Sequence, residues 1–168
     1  MKIDFAALKS IVNLEGQTCF GCGANNPIGL HMEFLTDGQR VYSVVSVPPA
    51  MAGWDQTVHG GILSTLLDEI MGWTVIYLLK KIGVTKSMTV EFLKPVRVGQ
   101  NLTIVGAIEE ICSERQVLVS GAVYTDDTVV CAKARGTFAS MTADTAVRLG
   151  VMSPAYKERF VPILNQNQ

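Results

Sequence analysis

The stretch from Ile62 to Leu79 constrains this chain more than any other, because its apolar residues fall on nearly every face of a helix. Ile62, Leu63, Leu66, Leu67, Ile70, Met71, Trp73, Val75, Ile76, Leu78 and Leu79 together cover nearly all faces. A helix that is apolar all round has to be buried inside the protein. The pattern predicts a helix over 61–81, closed by a positive last turn at Lys80-Lys81 and then by Gly83. A flat sheet covers only one side of such a helix. A strongly curved antiparallel sheet can wrap it.

The flanking residues supply the material for that sheet. Val41 to Val47 alternates as a strand and is ended by Pro48-Pro49, since proline cannot donate to a ladder. Thr85 to Leu93, Asn101 to Cys112, Gln116 to Asp126 and Thr128 to Met141 read as strands, spaced for an antiparallel meander with a tight turn at Asp126-Asp127. His31 to Leu35 reads as a further short strand, followed by the turn signal Asp37-Gly38. The segment 19–30, rich in Gly, Asn and Pro, reads as a loop. Phe5, Leu8, Ile11 and Val12 can share one helical face, so residues 1–18 are expected to form a helical extension. Residues 19–141 are expected to form the domain, and 142–168 a C-terminal tail with one helical piece over 143–149 and a loose end. The fold class is therefore α+β, a curved antiparallel sheet around one long central helix.

Composition agrees with a single globular domain. The chain has 168 residues, 48% hydrophobic and 17% charged, so it has ample apolar material for a core. A formal net charge of -1 gives no overall attraction to nucleic acid or an anionic membrane. No uncharged run reaches the roughly 18 residues of a membrane span. The N-terminus, broken by Asp4 and Lys9, lacks the apolar core of a signal peptide. These readings predict a cytoplasmic protein with no nucleic-acid or membrane partner. In a reducing compartment Cys19, Cys22, Cys112 and Cys131 are expected to be thiols.

Two features carry chemistry. Asp68 and Glu69 interrupt the apolar helix, and an ionised carboxylate is almost never buried without a partner. Consecutive helix positions diverge by about 100°, so the two cannot serve the same place. The second feature is His59-Gly60-Gly61 at the start of the helix. The first N–H groups of a helix have no internal partner and form a partial positive pole. Two glycines let a ligand approach that pole closely, which suits a site for a developing oxyanion. Gly61 and Asp68 stand seven residues apart, about 10 Å along a helix axis. One chain cannot bring them together, but a twofold-related copy can set its Asp68 against this chain's Gly61.

The run Val58-His59-Gly60-Gly61-Ile62-Leu63-Ser64-Thr65-Leu66-Leu67-Asp68-Glu69 resembles the signature of PaaI-type hotdog acyl-CoA thioesterases, which pair His-Gly-Gly with an acidic residue nine positions after the histidine. Asp68 occupies that position and Glu69 does not. Lys94-Pro95-Val96-Arg97-Val98-Gly99 resembles the family's strand ending in proline, and Cys19-Phe20-Gly21-Cys22-Gly23 recurs in a subset. The resemblance covers about residues 19–140. It implies the hotdog fold and hydrolysis of acyl-CoA to a free acid and CoA, with no cofactor beyond the CoA of the substrate. Gly61 N–H would polarise the thioester carbonyl, Asp68 would act as general base or nucleophile, Thr85 would orient the water, and His59 would hold the turn or contact the carbonyl. Gly60, Gln56, Trp54, Lys94 and Arg97 are the candidate substrate-binding residues, the last two for CoA phosphate. Met71 and Trp73 are weaker candidates for an acyl pocket, with core packing as their default. One departure is Gly53, where some relatives carry Asn or Gln; Gln56 lies nearby in a different register. Self-association to a homodimer, and to a dimer of dimers, is implied as well. A non-catalytic acyl-CoA-binding sensor and a hotdog hydratase are the alternatives. Cys19-x-x-Cys22 lacks a second close Cys or His pair, so no metal is expected and the segment reads as a structural loop.

Overall fold

The computed structural model describes residues 3–125 and 128–166. Nine strands and three α-helices follow in chain order: β1 (Lys9–Ile11), β2 (Phe34–Thr36), β3 (Arg40–Ser46), β4 (Ala52–Trp54), β5 (Thr57–Val58), α1 (Gly60–Leu79), β6 (Ile82–Phe92), β7 (Asn101–Ser113), β8 (Gln116–Thr125), β9 (Val129–Met141), α2 (Ala143–Arg148) and α3 (Pro154–Leu164). Seven strands form one antiparallel sheet in the order β1-β2-β3-β7-β8-β9-β6, and β4 pairs with β5 in a separate hairpin. The sheet wraps α1, which touches β3, β6, β7, β8 and β9. By length and composition α1 could cross a bilayer. Here it is the core helix, with Leu66, Leu67, Ile70, Met71 and Val75 fully enclosed.

Alternation produces this enclosure. In β8 every second residue from Val117 to Thr125 is buried against the helix, as expected for a strand with one wet face. Beneath α1 the registered pair Gly106–Gly121 forms the floor. A Cβ on Gly106 would lie 2.9 Å from the carbonyl oxygen of Ile70, and one on Gly121 would lie 3.1 Å from Leu67. Glycine at these positions lets the helix backbone approach the sheet.

Three expectations require correction. The last four strands do not run as a simple meander, because β6 pairs with β9 and leaves β7 to pair with β3. The N-terminal segment is not an α-helix. A 3-10 turn at Phe5–Ala7 leads into β1, which pairs with β2 and buries Ile11. The outer backbone groups of β2 need partners, and supplying them outweighs a weak helical period. The helix end lies at Lys80, in the left-handed region at φ 54°, rather than at Gly83. That glycine sits within β6, where a Cβ would meet Val75 at 2.9 Å.

The tail contains two helices instead of one piece. Thr142 caps α2, while Ser153 followed by Pro154 opens α3. Phe160 of α3 packs edge-on against Trp73, which stacks on Phe34. Arg159 donates to the carbonyl of Glu15, and Gln166 exchanges hydrogen bonds with the backbone of Val12. The tail and the N-terminal extension are thus tied to each other. The Asp126-Asp127 turn and the final Asn167-Gln168 lie outside the described residues.

Candidate active site

The His59 turn is fixed from both sides. Val58 N–H donates to Val96 O at 2.8 Å and His59 N–H to Met51 O at 3.1 Å. His59 then caps α1, its Nδ1 accepting from Gly61 N–H at 2.9 Å. A ring nitrogen that accepts carries no proton, so the neutral imidazole holds its proton on Nε2. The Gly61 amide assigned to a substrate carbonyl is therefore engaged with His59 in this structure. The ring of Phe92 closes over Gly60, where a Cβ would meet it at 3.3 Å. Beside this turn is a groove of about 290 Å³ lined by Gly60, Leu63, Phe92, Leu93, Lys94 and Val96, among others.

Two turns further along α1, Asp68 emerges half-buried at the edge of the wrap. Thr85 Oγ1–H donates to Asp68 Oδ1 at 2.6 Å, within the range of a charge-assisted O–H···O⁻ bond. A bulge in β6 between Thr85 and Ser87 shifts the register there, and a bulge re-aims side chains at a sheet edge. The bond joins two of the residues singled out in the sequence. Gly61 and Asp68 remain separated by two turns of one helix.

The other candidates scatter. Lys94 and Gly60 share the groove. Arg97 is exposed and pairs through its backbone with Thr57. Gln56 is exposed and uses its carbonyl to accept from Val98 N–H. Trp54 is 85% exposed in the β4–β5 hairpin and does not line the groove. Met71 and Trp73 are core residues, so the apolar lining beside the turn comes from Leu63, Phe92 and Leu93 instead.

A model of the Thioesterase superfamily matches residues 55–132, from the His59 turn into β9. A crystallised thioesterase superfamily protein superposes with a TM-score of 0.63 at 24% identity, over 72% of this chain and 59% of its own. The chain thus spans less than two thirds of that relative. The fold is the hotdog fold of thioesterase superfamily proteins. A hypothetical thioesterase protein from Streptococcus pneumoniae TIGR4, crystallised with coenzyme A, is 25% identical over 62% of this chain and 82% of its own, with a TM-score of 0.58. Variants of that protein with a threonine or an aspartate replaced by alanine have also been crystallised. The Escherichia coli PaaI protein from the phenylacetic acid degradation operon is 20% identical over 66% of this chain and 83% of its own, with a TM-score of 0.60. No curated protein sequence matches the chain.

About 100° around the helix axis from Asp68, Glu69 has partners that the sequence did not suggest. Cys19 Sγ lies 3.6 and 3.7 Å from its two carboxylate oxygens, and Trp73 Nε1–H donates to Oε1 at 3.2 Å and to Cys22 Sγ at 3.4 Å. Burial, reinforced by the charge of Cys19, pushes the Glu69 carboxyl up to about 7. A hydrogen bond from Cys22, with backbone N–H groups of the loop, lowers Cys19 to about 5, while the Cys22 thiol is pushed up by Cys19 and by burial. Sequence reasoning missed Phe92 over the helix start and the partners of Glu69. Its divergence of about 100° from Asp68 calls for a separate partner, but does not say which residues supply it.

Proposed function

We propose that this chain hydrolyses acyl-CoA thioesters to a free carboxylic acid and CoA. The observation that carries the reading is the 2.6 Å bond from Thr85 to Asp68 on the helix that His59 caps. One end of α1 offers hydrogen-bond donors to a carbonyl oxygen. Two turns further along, Asp68 offers an oriented carboxylate. The S. pneumoniae relative, crystallised with coenzyme A, has been studied through variants of the same two residue types, an aspartate and a threonine.

The helix start and Asp68 act together when two copies pair about a twofold axis, each setting its Asp68 against the other's Gly61. β6 supports such pairing. It is an 11-residue strand at the edge of the sheet, it carries Thr85, and long open edges recruit further strands. In each site the thioester carbonyl would lie at the helix N-terminus, polarised by the helix dipole and the glycine amides. Gly61 N–H would share its hydrogen with His59 Nδ1, and Nε2–H of His59 is the ring's donor for the substrate. Asp68 would remove a proton from water as it attacks the carbonyl carbon, or attack directly to form an anhydride that water then cleaves. Either way the C–S bond breaks, CoA leaves as the thiol, and no cofactor is required. The groove beside Gly60 would take the acyl end or the pantetheine arm, with Lys94 of its lining for phosphate and Arg97, bridged through its backbone to Thr57 of that lining, as a second cation.

The test is thiol release from a panel of acyl-CoA esters by the wild-type protein and by Asp68→Asn. The variant is expected to lose kcat by about 10²-fold or more, with KM little changed. Unchanged turnover removes Asp68 from the mechanism. Binding of acyl-CoA without hydrolysis of any ester replaces the enzyme by a sensor.

A further inference from the structure

The Cys19–Gly23 loop lies outside the segment that matches the Thioesterase superfamily, and the proposed hydrolysis makes no use of it. Its two thiols and Glu69 converge from 50 residues apart in the chain. One donor atom from each of the three residues lies within 4.8 Å of the others. In a tetrahedral zinc site with Zn–S near 2.3 Å and Zn–O near 2.1 Å, a sulfur and an oxygen stand about 3.6 Å apart. Cys19 Sγ and the oxygens of Glu69 stand at 3.6 and 3.7 Å.

The surrounding backbone is shaped for this convergence. A Cβ on Gly21 would lie 2.5 Å from the Glu69 carboxyl carbon, and one on Gly23 would lie 2.5 Å from Cys19 N. The loop therefore closes on Glu69 only because these positions lack side chains. Gly23 N–H donates to Cys19 O at 2.9 Å, and backbone N–H groups of Gly21 and Cys22 are directed at Cys19 Sγ. Trp73 Nε1–H reaches both Cys22 and Glu69, and Gln17 Nε2–H reaches Cys22 Sγ at 3.5 Å. The three candidate ligand atoms are thus surrounded by outer hydrogen-bond donors, the arrangement that orients and stabilises anionic ligands around a metal. Among the described residues no ion pair neutralises Glu69.

We propose that Cys19, Cys22 and Glu69 bind one thiophilic divalent cation of the zinc type, with water as the fourth ligand. Thiolate with carboxylate suits zinc and its spectroscopic substitute cobalt(II), and disfavours magnesium or calcium. The three residues bind in their deprotonated forms, and the cation neutralises their charge. The site pins the 19–23 loop to α1 directly after Asp68. The cation takes no part in thioester chemistry, and the proposal is independent of that activity.

The test titrates cobalt(II) into the full-length, metal-stripped protein, kept reduced by a non-chelating phosphine. Expected is a saturable sulfur-to-cobalt charge-transfer band with visible bands of tetrahedral intensity, at one equivalent per chain. Cys19→Ser and Cys22→Ser should each reduce the charge-transfer band, and Cys112→Ser should leave it intact. Glu69→Gln should keep two-thiolate absorption but weaken cobalt binding by roughly 10-fold or more. Zinc should raise the melting temperature of the wild-type protein. That wild-type shift stands even if a cysteine variant fails to fold. Absence of a saturable band in reduced wild-type protein overturns the proposal. So does equal cobalt affinity in Glu69→Gln, or a Cys19–Cys22 disulfide that forms in preference to metal capture when both are offered.

Discussion

Replacing Thr85 separates the proposed chemistry from the fold more cleanly than any other single change. Its hydroxyl donates to Asp68 Oδ1 at 2.6 Å, and the residue is exposed on the edge strand β6. A hydrogen bond to a charged group contributes about 1.5–3 kcal/mol where solvent does not replace it. If the bond holds Asp68 in its attacking rotamer, Thr85→Val, which keeps the shape and removes the donor, should lower kcat by about 10- to 100-fold at 1.4 kcal/mol per decade. The effect on stability should stay below about 1 kcal/mol, because water can solvate a carboxylate at an exposed edge. Thr85→Ser restores the donor and should recover most of the rate.

The assay is thiol release under saturating acyl-CoA, with kcat and KM resolved and melting temperature followed in parallel. A fall in kcat with KM nearly constant marks a group that acts in the transition state and not in ground-state binding. The double variant with Asp68→Asn adds a second constraint: once the carboxylate is gone, removing its donor should cost little more, since the two act as a unit. Wild-type kcat in Thr85→Val would refute the reasoning, as would equal losses in Thr85→Val and Thr85→Ser.

Gly106→Ala should destabilise the protein by about 3 kcal/mol in urea unfolding, at the upper end for overpacking, because its Cβ meets the Ile70 carbonyl at 2.9 Å and a backbone cannot rotate aside. Trp73→Phe keeps the ring stack on Phe34 but removes the donor shared by Glu69 and Cys22, so a loss of about 1–3 kcal/mol is expected by chemical denaturation of metal-free protein. Asp37 accepts from Tyr42 Oη at 2.7 Å and from the N–H groups of Gln39 and Arg40; these bonds outweigh the upward push of burial and hold its carboxyl below the ordinary value. A depressed folded-state pKa gives stability that is present above the unfolded value and lost as pH falls through the folded one. An acid titration should therefore show the advantage of wild type over Asp37→Asn vanishing at low pH.

The central helix was legible because apolar residues on nearly every face leave few alternatives, and β7, β8 and β9 were legible because alternation is a local signal. Their placement was not. That β6 pairs with β9 follows from how the sheet closes around α1, and residue pattern carries no trace of it. The helical period at Phe5, Leu8 and Ile11 misled because β2 offered an unpaired edge, and a tertiary hydrogen-bond ladder outranks a weak period. The start of α3 could have been read from Ser153-Pro154, a cap followed by proline at the first helical position. In the candidate site Asp68 and Thr85 were each singled out by a resemblance, Asp68 through its spacing from His59, and the bond between them appears only in the structure. The contacts of Glu69 with Cys19 and Cys22 join a loop to a helix across half a hundred residues, which only the folded chain reveals.

The two adjacent carboxylates explain how a core helix tolerates charge. Asp68 turns to the hydroxyl of β6, and Glu69, about 100° around the axis, turns to the thiol loop. Each has its own polar partner, so neither is buried uncompensated. Sharing one helix also couples them. Side chains reach about 6 Å from the axis, so a 20° rotation of α1 displaces each carboxylate by about 2 Å. That is enough to break the 2.6 Å bond to Thr85. The loop that grips Glu69 therefore fixes the rotation on which the aim of Asp68 depends, and Gly106 and Gly121 fix the depth at which the helix sits.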